Sequence, residues 1–525
     1  MGRRILFITT DQQRFDALGC NGGTVARTPV LDQLAAEGIN YQRAHPQNVV
    51  CMPSRSTIIT GQHVSTHGVW MNGVPLPTTA PSIARTLHNV GYKTSLIGKA
   101  HFEPFLDPFL RFAENRLSFN DRHNELTMSN AGVDELHRGF DHLEFATHGV
   151  AGPLHYARWF RKNHPDLTNS FYAVLDGELE VNAAGGGDTN APQVKHNNVP
   201  REAYHTDWVA DRTIAWLDSL NANDDWFCWM SFPDPHHPWD PPASELHRVN
   251  WKDLDLPAGY IEDAAQREQL LSTKPEHWMR WYDGSFVSNY EAPARWVPAT
   301  LTADHVREVN AMAHIENELV DEAIGRVLAA INKRGWSEDL DIVYTTDHGE
   351  FQGDYGFLFK GPYHVDSLMR LPLIWRPAPS AQVTPATVSA PVGLVSLAAT
   401  FASIAGLEQP DYVEAPALPI SDTDASARGF NKVLTEWDSD LFGKTVSLRT
   451  IHRDGWTCTT YAPGTIHDGT EGELYNVIED PLQHVNRWDD PAYKSLRDDL
   501  IDDLMASHAV LSSGSSSRRP CDAPV

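Results

Sequence analysis

The chain has 525 residues, 41% of them hydrophobic and 16 of them Trp, which supplies a large packed core and argues against disorder. Its formal net charge of −27 disfavours nucleic acid or an anionic membrane surface as partner, and an anionic substrate would need a local cluster of cations or a metal to overcome that field. The five cysteines, Cys20, Cys51, Cys228, Cys458 and Cys521, show neither CxxC pairs nor a fixed spacing, so neither a disulfide framework nor a zinc site is indicated, and the odd count agrees with a reducing compartment.

At the N-terminus, "MGRRILFITTDQQ" holds an apolar run too short for a signal peptide, and no later stretch is long enough to span a bilayer. The expectation is a soluble, cytoplasmic protein. "RILFITTD" reads as a buried parallel strand, and "RTPVLDQLAAEG" as a helix with Thr28 as N-cap, Pro29 at its first position and Gly38 past its end. The helix "PSIARTLHNVG" and the strand "YKTSLIGKAH" come next; later, "TDWVADRTIAWLDSLN" leads into the strand "WFCWMSF". The longest helix, from about Asp304 to Arg334, stops at Gly335 and feeds the strand "DIVYTTD". Strands interleaved with helices of this length predict an α/β fold, a large mostly parallel sheet sandwiched by helices. Within this larger domain, residues 1–430, the pattern breaks at about 103–204, expected as an insertion over the sheet edge. From about 431 to 510 a smaller α+β domain with an antiparallel sheet is expected, with a hairpin turning at Asp454-Gly455 and the helix "DPAYKSLRDDLIDDLMASH"; a Ser-rich tail, 511–525, reads as flexible.

In an open α/β sheet, ligands sit beyond the carboxyl ends of the strands. Four predicted strands end in chemically capable residues: Asp11 and Gln12, Lys99 and His101, His236 and His237, Asp347 and His348. Either aspartate alone is commonly a turn or helix cap. Paired at two strand ends, Asp11 and Asp347 read as oxygen ligands to one divalent cation, with Gln12 and His348 completing the shell. That donor set suits Ca²⁺, Mg²⁺ or Mn²⁺, and the imidazole tilts it towards Mn²⁺. A lone cysteine such as Cys51 is ordinarily a buried, inert small hydrophobe. His63 and His67, four apart, are read as structural because the metal is already provided for. Trp70, Trp239 and Asn72 are candidate pocket residues, with core packing the alternative for the tryptophans.

The stretch "CMPSRSTIITG" from Cys51 resembles the signature of type I sulfatases: Cys-x-Pro-Ser-Arg, an apolar helix, then Thr-Gly. "FITTDQQR", "RTPVLDQLAAEG", "GYKTSLIGKAHF", "PHHPW", "IGRVLAAINKRG", "TTDHGE", "FLFKGPY" and "ELYNVIEDPLQHVN" match in register, so the resemblance covers nearly the whole chain apart from the insertion and tail. It implies an alkaline-phosphatase-like fold and hydrolysis of sulfate monoesters of the aryl sulfate type. Cys51 would be oxidised to formylglycine by a maturation enzyme. The hydrate of that aldehyde offers one hydroxyl to attack sulfur beside the metal, Mn²⁺ or Ca²⁺, and a second to expel sulfate. The metal ligands implied are Asp11, Gln12, residue 51, Asp347 and His348. Arg55 would hold the diol and the carboxylates, aided by the N-terminus of the following helix. Lys99 and Lys360 would clamp sulfate, His101 would take the second hydroxyl's proton, and Lys360 or His236 would protonate the leaving oxygen.

Two positions depart from the commonest sulfatase pattern: Gln12 stands where many members have an acid, and His348 where many have Asn. Both resemble a bacterial branch that includes phosphonate monoester and phosphodiester hydrolases, whereas Lys99 and His101 match the sulfate-ester pattern. Phosphonate monoester or phosphodiester hydrolysis at the same site is therefore the alternative; a non-catalytic anion-binding homologue with unmodified Cys51 is a second. The acidic C-terminal helix and tail leave a homo-oligomer open.

Overall fold

The computed structural model describes residues 3–105, 111–119, 136–172, 185–287, 296–441 and 443–512, so the expected tail lies almost wholly outside the described residues. The central sheet takes its strands from β1 (Arg4–Thr10), β2 (Ile39–His45), β3 (Lys93–Gly98), β4 (His142–Phe145), β5 (Trp226–Ser231), β6 (Leu340–Thr346), β7 (Leu371–Arg376), β8 (Ala386–Val388) and β9 (Val392–Gly393). Their order is β8-β2-β7-β6-β1-β5-β3-β4, with β9 also on β2; every pairing is parallel except those of β7 with β2 and with β6. β4 lies within the segment expected as an insertion and forms an edge of this sheet.

The helices used below are α1 (Pro29–Glu37), α2 (Cys51–Thr60), α3 (Ile83–Asn89), α4 (His205–Ser219), α5 (Ala303–Lys333), α6 (Leu397–Ile404) and α7 (Lys494–Ser512). β1 is buried over its whole length, and its side chains alternate between two cores, as a strand covered on both faces must. Leu6 and Ile8 join residues of α1, α4 and α5 in one core; Ile5 and Phe7 join α2, α3 and α6 in the other. The capping box at Thr302 and His305 starts α5 one residue before the sequence suggested.

A separate antiparallel sheet follows: β10 (Lys432–Leu441), β11 (Lys444–Arg453), β12 (Trp456–Tyr461) and β13 (Gly472–Asn476), in that order. Its hairpin turns at Asp454 (φ 53°) and Gly455 (φ 76°), the left-handed pair that a tight two-residue turn requires. Leu500 and Leu504 of α7 pack on its apolar face against Leu434, Ile451, Cys458 and Leu474. Among the described residues no helix is long and apolar enough to cross a membrane.

Candidate active site

Four adjacent parallel strands, β6-β1-β5-β3, end side by side. Thr10 pairs with Thr346, so Asp11 and Asp347 emerge as neighbours. β5 delivers Ser231 and the turn to His236; β3 delivers Lys99 and His101. Gly98, the last residue of β3, has φ +109° and its missing Cβ would lie 1.7 Å from Ser231 O, so only glycine allows this approach. Gln12 (φ 61°) and His101 (φ 57°) are left-handed without being glycine, backbone strain of the kind that gathers where side chains must be aimed.

Cys51 is the first residue of α2 and fully buried. The loop before it is tied to β10: Thr435 Oγ1 donates to Pro46 O at 2.8 Å, Glu436 N to Gln47 O at 2.9 Å, and Asn48 Nδ2 to Glu436 O at 2.7 Å. Arg55, one turn into α2, is wholly buried and spans the strand ends. Its Nε donates to Asp347 Oδ2 at 2.7 Å, one terminal nitrogen to Lys99 O at 2.7 Å and Ser231 Oγ at 2.9 Å, and the other to Asp11 Oδ2 at 3.3 Å. Such a buried cation is tolerable because each donor has an acceptor.

Asp11, Cys51, Asp347 and His348 place their ligand atoms within 4.8 Å of one another, all buried. His348 gives its Nδ1–H to Gly349 O at 3.0 Å, which leaves the Nε2 lone pair 3.2 Å from Cys51 Sγ and 3.6 Å from Asp11. Two carboxylates, an imidazole lone pair and a fourth donor, all buried, fit a divalent cation. Gln12 is engaged otherwise than as a simple ligand: its Oε1 accepts from Lys360 Nζ at 2.5 Å, and its Nε2 donates to Glu350.

Although burial pushes the Asp11 carboxyl up, the cations Lys99 and Arg55 beside it hold it well below the usual carboxylate range. Lys99 ion-pairs with Asp11 and lies 3.7 Å from Cys51 Sγ; burial alone would lower its pKa, and those two neighbours raise it. Lys360 Nζ also meets His236 Nε2 at 2.8 Å, while His236 Nδ1 bonds to His237 O. Burial, then Lys360, push the His236 pKa well down, so the ring is neutral, with its proton on Nδ1 and Nε2 accepting from the ammonium. Lys99, Arg55 and Lys360 form the local cation cluster that an anionic substrate requires of so acidic a chain.

The remaining candidates are dispersed. Asn72 Oδ1 accepts Met52 N at 3.0 Å, which puts it beside the first turn of α2. His101 is buried edge-on against Phe105 (4.3 Å between ring centroids). His67 bonds to Thr57 and His63 to Glu414. Trp239 is fully buried and stacks on Phe359, the packing alternative; Trp70 is nearly buried. Sequence reasoning did not single out Ser231, Glu350 or His148. Glu350 ended the quoted "TTDHGE"; burial pushes its carboxyl up to about 8, and it receives the Gln12 amide.

The profile of the Sulfatase family matches residues 3–407. An uncharacterised sulfatase of Escherichia coli K12, YidJ, is 25% identical over 502 residues, 95% of this chain and 86% of the relative. An arylsulfatase of Clostridium perfringens is 27% identical over 371 residues, 69% of this chain and 66% of the relative. The solved phosphonate monoester hydrolase of Agrobacterium radiobacter superposes with a TM-score of 0.76 over 99% of this chain and 100% of its own, at 19% identity, a likeness of fold.

Proposed function

The chain belongs to the sulfatase family of hydrolases, and from that premise we propose that it hydrolyses sulfate monoesters of the aryl sulfate type, with Cys51 converted to formylglycine and one divalent ion, Mn²⁺ or Ca²⁺, at its side. The observation that carries this reading is Lys99, ion-paired with Asp11 and 3.7 Å from Cys51 Sγ, with His101 two residues on. Asp11, Asp347, His348 and residue 51 would hold the ion, with Gln12 beside them. When bound, it supplies Lewis-acid charge against the ester oxygens and the attacking group. The aldehyde hydrate supplies two hydroxyls on one carbon, for which Sγ holds the place: one for attack, one for release.

The chain's own residues do the rest. Lys99 and Lys360 bind the anionic group, and Asn72 borders it. Arg55 fixes Asp11 and Asp347 and adds a permanent positive charge at the N-terminus of α2. His101 takes the proton of the releasing hydroxyl. Lys360 carries the proton for the leaving oxygen, since His236, neutral and accepting at Nε2, has none to give there; His236 keeps the ammonium aimed.

Phosphonate monoester or phosphodiester hydrolysis is the second reading, favoured by Gln12 and His348. An aryl sulfate, a phenylphosphonate monoester and an aryl phosphodiester compared on one preparation decide between them. The sulfate should show the highest kcat/KM; a phosphonate or diester preferred over it would transfer the assignment.

A further inference from the structure

His148 belongs to none of the motifs above. It follows β4, in the segment expected as an insertion, yet it is buried against the site. Its Nε2 bonds to Pro233 O at 2.6 Å, which anchors it to the turn carrying His236. Its ring lies over that of His236, with centroids 4.5 Å apart and planes at 23°. His237 covers the other face of His236 at 4.0 Å and 26°. His205 meets His148 edge-on at 6.0 Å, and Phe359 meets His237 edge-on at 4.7 Å. His236 is thus the middle ring of a three-ring stack clamped at both ends, and its edge nitrogens point to Lys360 and to the His237 carbonyl.

We propose that His148 is a positioning residue for His236: its ring fixes the plane from which His236 receives Lys360, and so aims the ammonium at the leaving oxygen. The contact is between faces of neutral rings, which offset stacking favours. Burial lowers the pKa of both histidines, so no like-charge repulsion opposes it. The inference rests on the reading that Lys360, held by His236, protonates the leaving group. Removal of the His148 ring opens space into which His236 can tilt, and a misplacement of about 1 Å at such a group costs on the order of 100-fold in rate.

The test measures kcat and KM on unactivated phenyl sulfate, whose leaving oxygen needs a proton, for His148→Ala, His148→Phe, His236→Ala and the double variant His148→Ala/His236→Ala, each checked for native circular dichroism. His148→Ala should lose about 10- to 100-fold in kcat with KM little changed. His148→Phe, which restores a flat ring without the imidazole nitrogens, should recover most of that loss. In the His236→Ala background His148→Ala should add almost nothing, because the two act through one element. Full kcat in His148→Ala beside a crippled His236→Ala would overturn this inference alone. His148→Phe no better than alanine would also overturn it, since the nitrogen and not the stack would then matter. Wild-type turnover by His236→Ala would sink the reading of the Lys360–His236 pair and the inference with it.

Discussion

Lys360 Nζ lies 2.8 Å from His236 Nε2 while the other nitrogen of that ring is committed to the His237 carbonyl, and burial, then Lys360, push the His236 pKa well down, so the proposal keeps the proton of this pair on the lysine. Lys360→Met should lower kcat by about 10²- to 10⁴-fold, the range of a lost general acid. The loss should depend on the leaving group: small for a nitrophenyl ester, whose oxygen departs without a proton, and large for an unactivated phenol. Rates over a series of substituted phenyl sulfates would show a steeper dependence on phenol acidity in the variant. Parallel lines for wild type and variant would remove Lys360 from that role.

Asp347 accepts from Arg55 Nε at 2.7 Å and from the backbone of Gln12 and His348, besides facing the candidate ion. Asp347→Asn and Asp11→Asn each take a hard anionic donor from the cluster and a counter-charge from a buried guanidinium. Metal content should fall below stoichiometric and turnover by at least about 100-fold. Unfolding of the metal-stripped Asp347→Asn protein should cost on the order of 3 kcal/mol less than that of the stripped wild type. Elemental analysis with kinetics and denaturant titration checks both, and full metal with near-normal activity would refute the ligand assignment.

What the sequence made legible follows the physics of each element. β1, β3, β5 and β6 are apolar runs because both their faces are buried, and the polar residues at their ends stand out for that reason. β2 carries little strand signal: it starts directly after α1, and "INYQRAH" has Gln42 and Arg43 in half-buried positions. β7 holds Pro372, which lacks the N–H that a ladder uses, and its antiparallel place between β2 and β6 is set by distant partners. Within the site, residue type and strand ends identified Asp11, Lys99, Asp347 and His348. Glu350, Ser231 and His148 have no such signature; each gains its relation to the site only through a contact across the fold, as Ser231 does with Arg55. The engagement of Gln12 by Lys360 and Glu350 is of the same kind.

Lys99 and Arg55 meet Asp11, and Lys360 meets the neighbouring Gln12, in a chain of net charge −27, so anion binding there should be local and strong. Inorganic sulfate, a dianion, and inorganic phosphate, largely one near neutral pH, each carry more charge than the single one of a sulfate monoester, so both should inhibit competitively. Lys99→Ala should weaken phosphate inhibition by about tenfold or more, in line with a lost charge-assisted contact of ~1.5–3 kcal/mol. Non-competitive behaviour of both anions would place the anion site elsewhere.

Glu114 sits behind the site with Phe102 N donating to it, near His137, Arg138 and Glu103; burial pushes its carboxyl from 4.5 up to about 7. In the unfolded chain it ionises near the lower value, so between the two the folded state holds more protons. Stability from this group is complete below pH 4.5 and is lost as pH rises through about 7. Buried histidines such as His137, lowered to about 3, have the opposite dependence, so the comparison must be between wild type and variant. Glu114→Gln should gain on wild type in melting temperature from pH 5 to pH 7.5 and stay level above that. A constant difference over the whole range would mean that Glu114 ionises normally in the fold.

Cys51 is fully buried at the start of α2, 3.2 Å from His348 Nε2 and 3.7 Å from Asp11, and the proposal makes it an aldehyde precursor, not a thiol nucleophile. Intact-mass analysis of active protein should therefore show loss of the thiol mass at this residue. Replacement sharpens the test. Cys51→Ala has no nucleophile and should transfer nothing. Cys51→Ser keeps a single hydroxyl at the same place, so it can attack an activated ester slowly but lacks a second oxygen on that carbon to expel the product. A sulfated serine should then accumulate after at most one turnover, read by mass spectrometry of the peptide containing position 51. Repeated turnover by Cys51→Ser at the wild-type rate would show that attack and release need only one oxygen, and the formylglycine reading would fall.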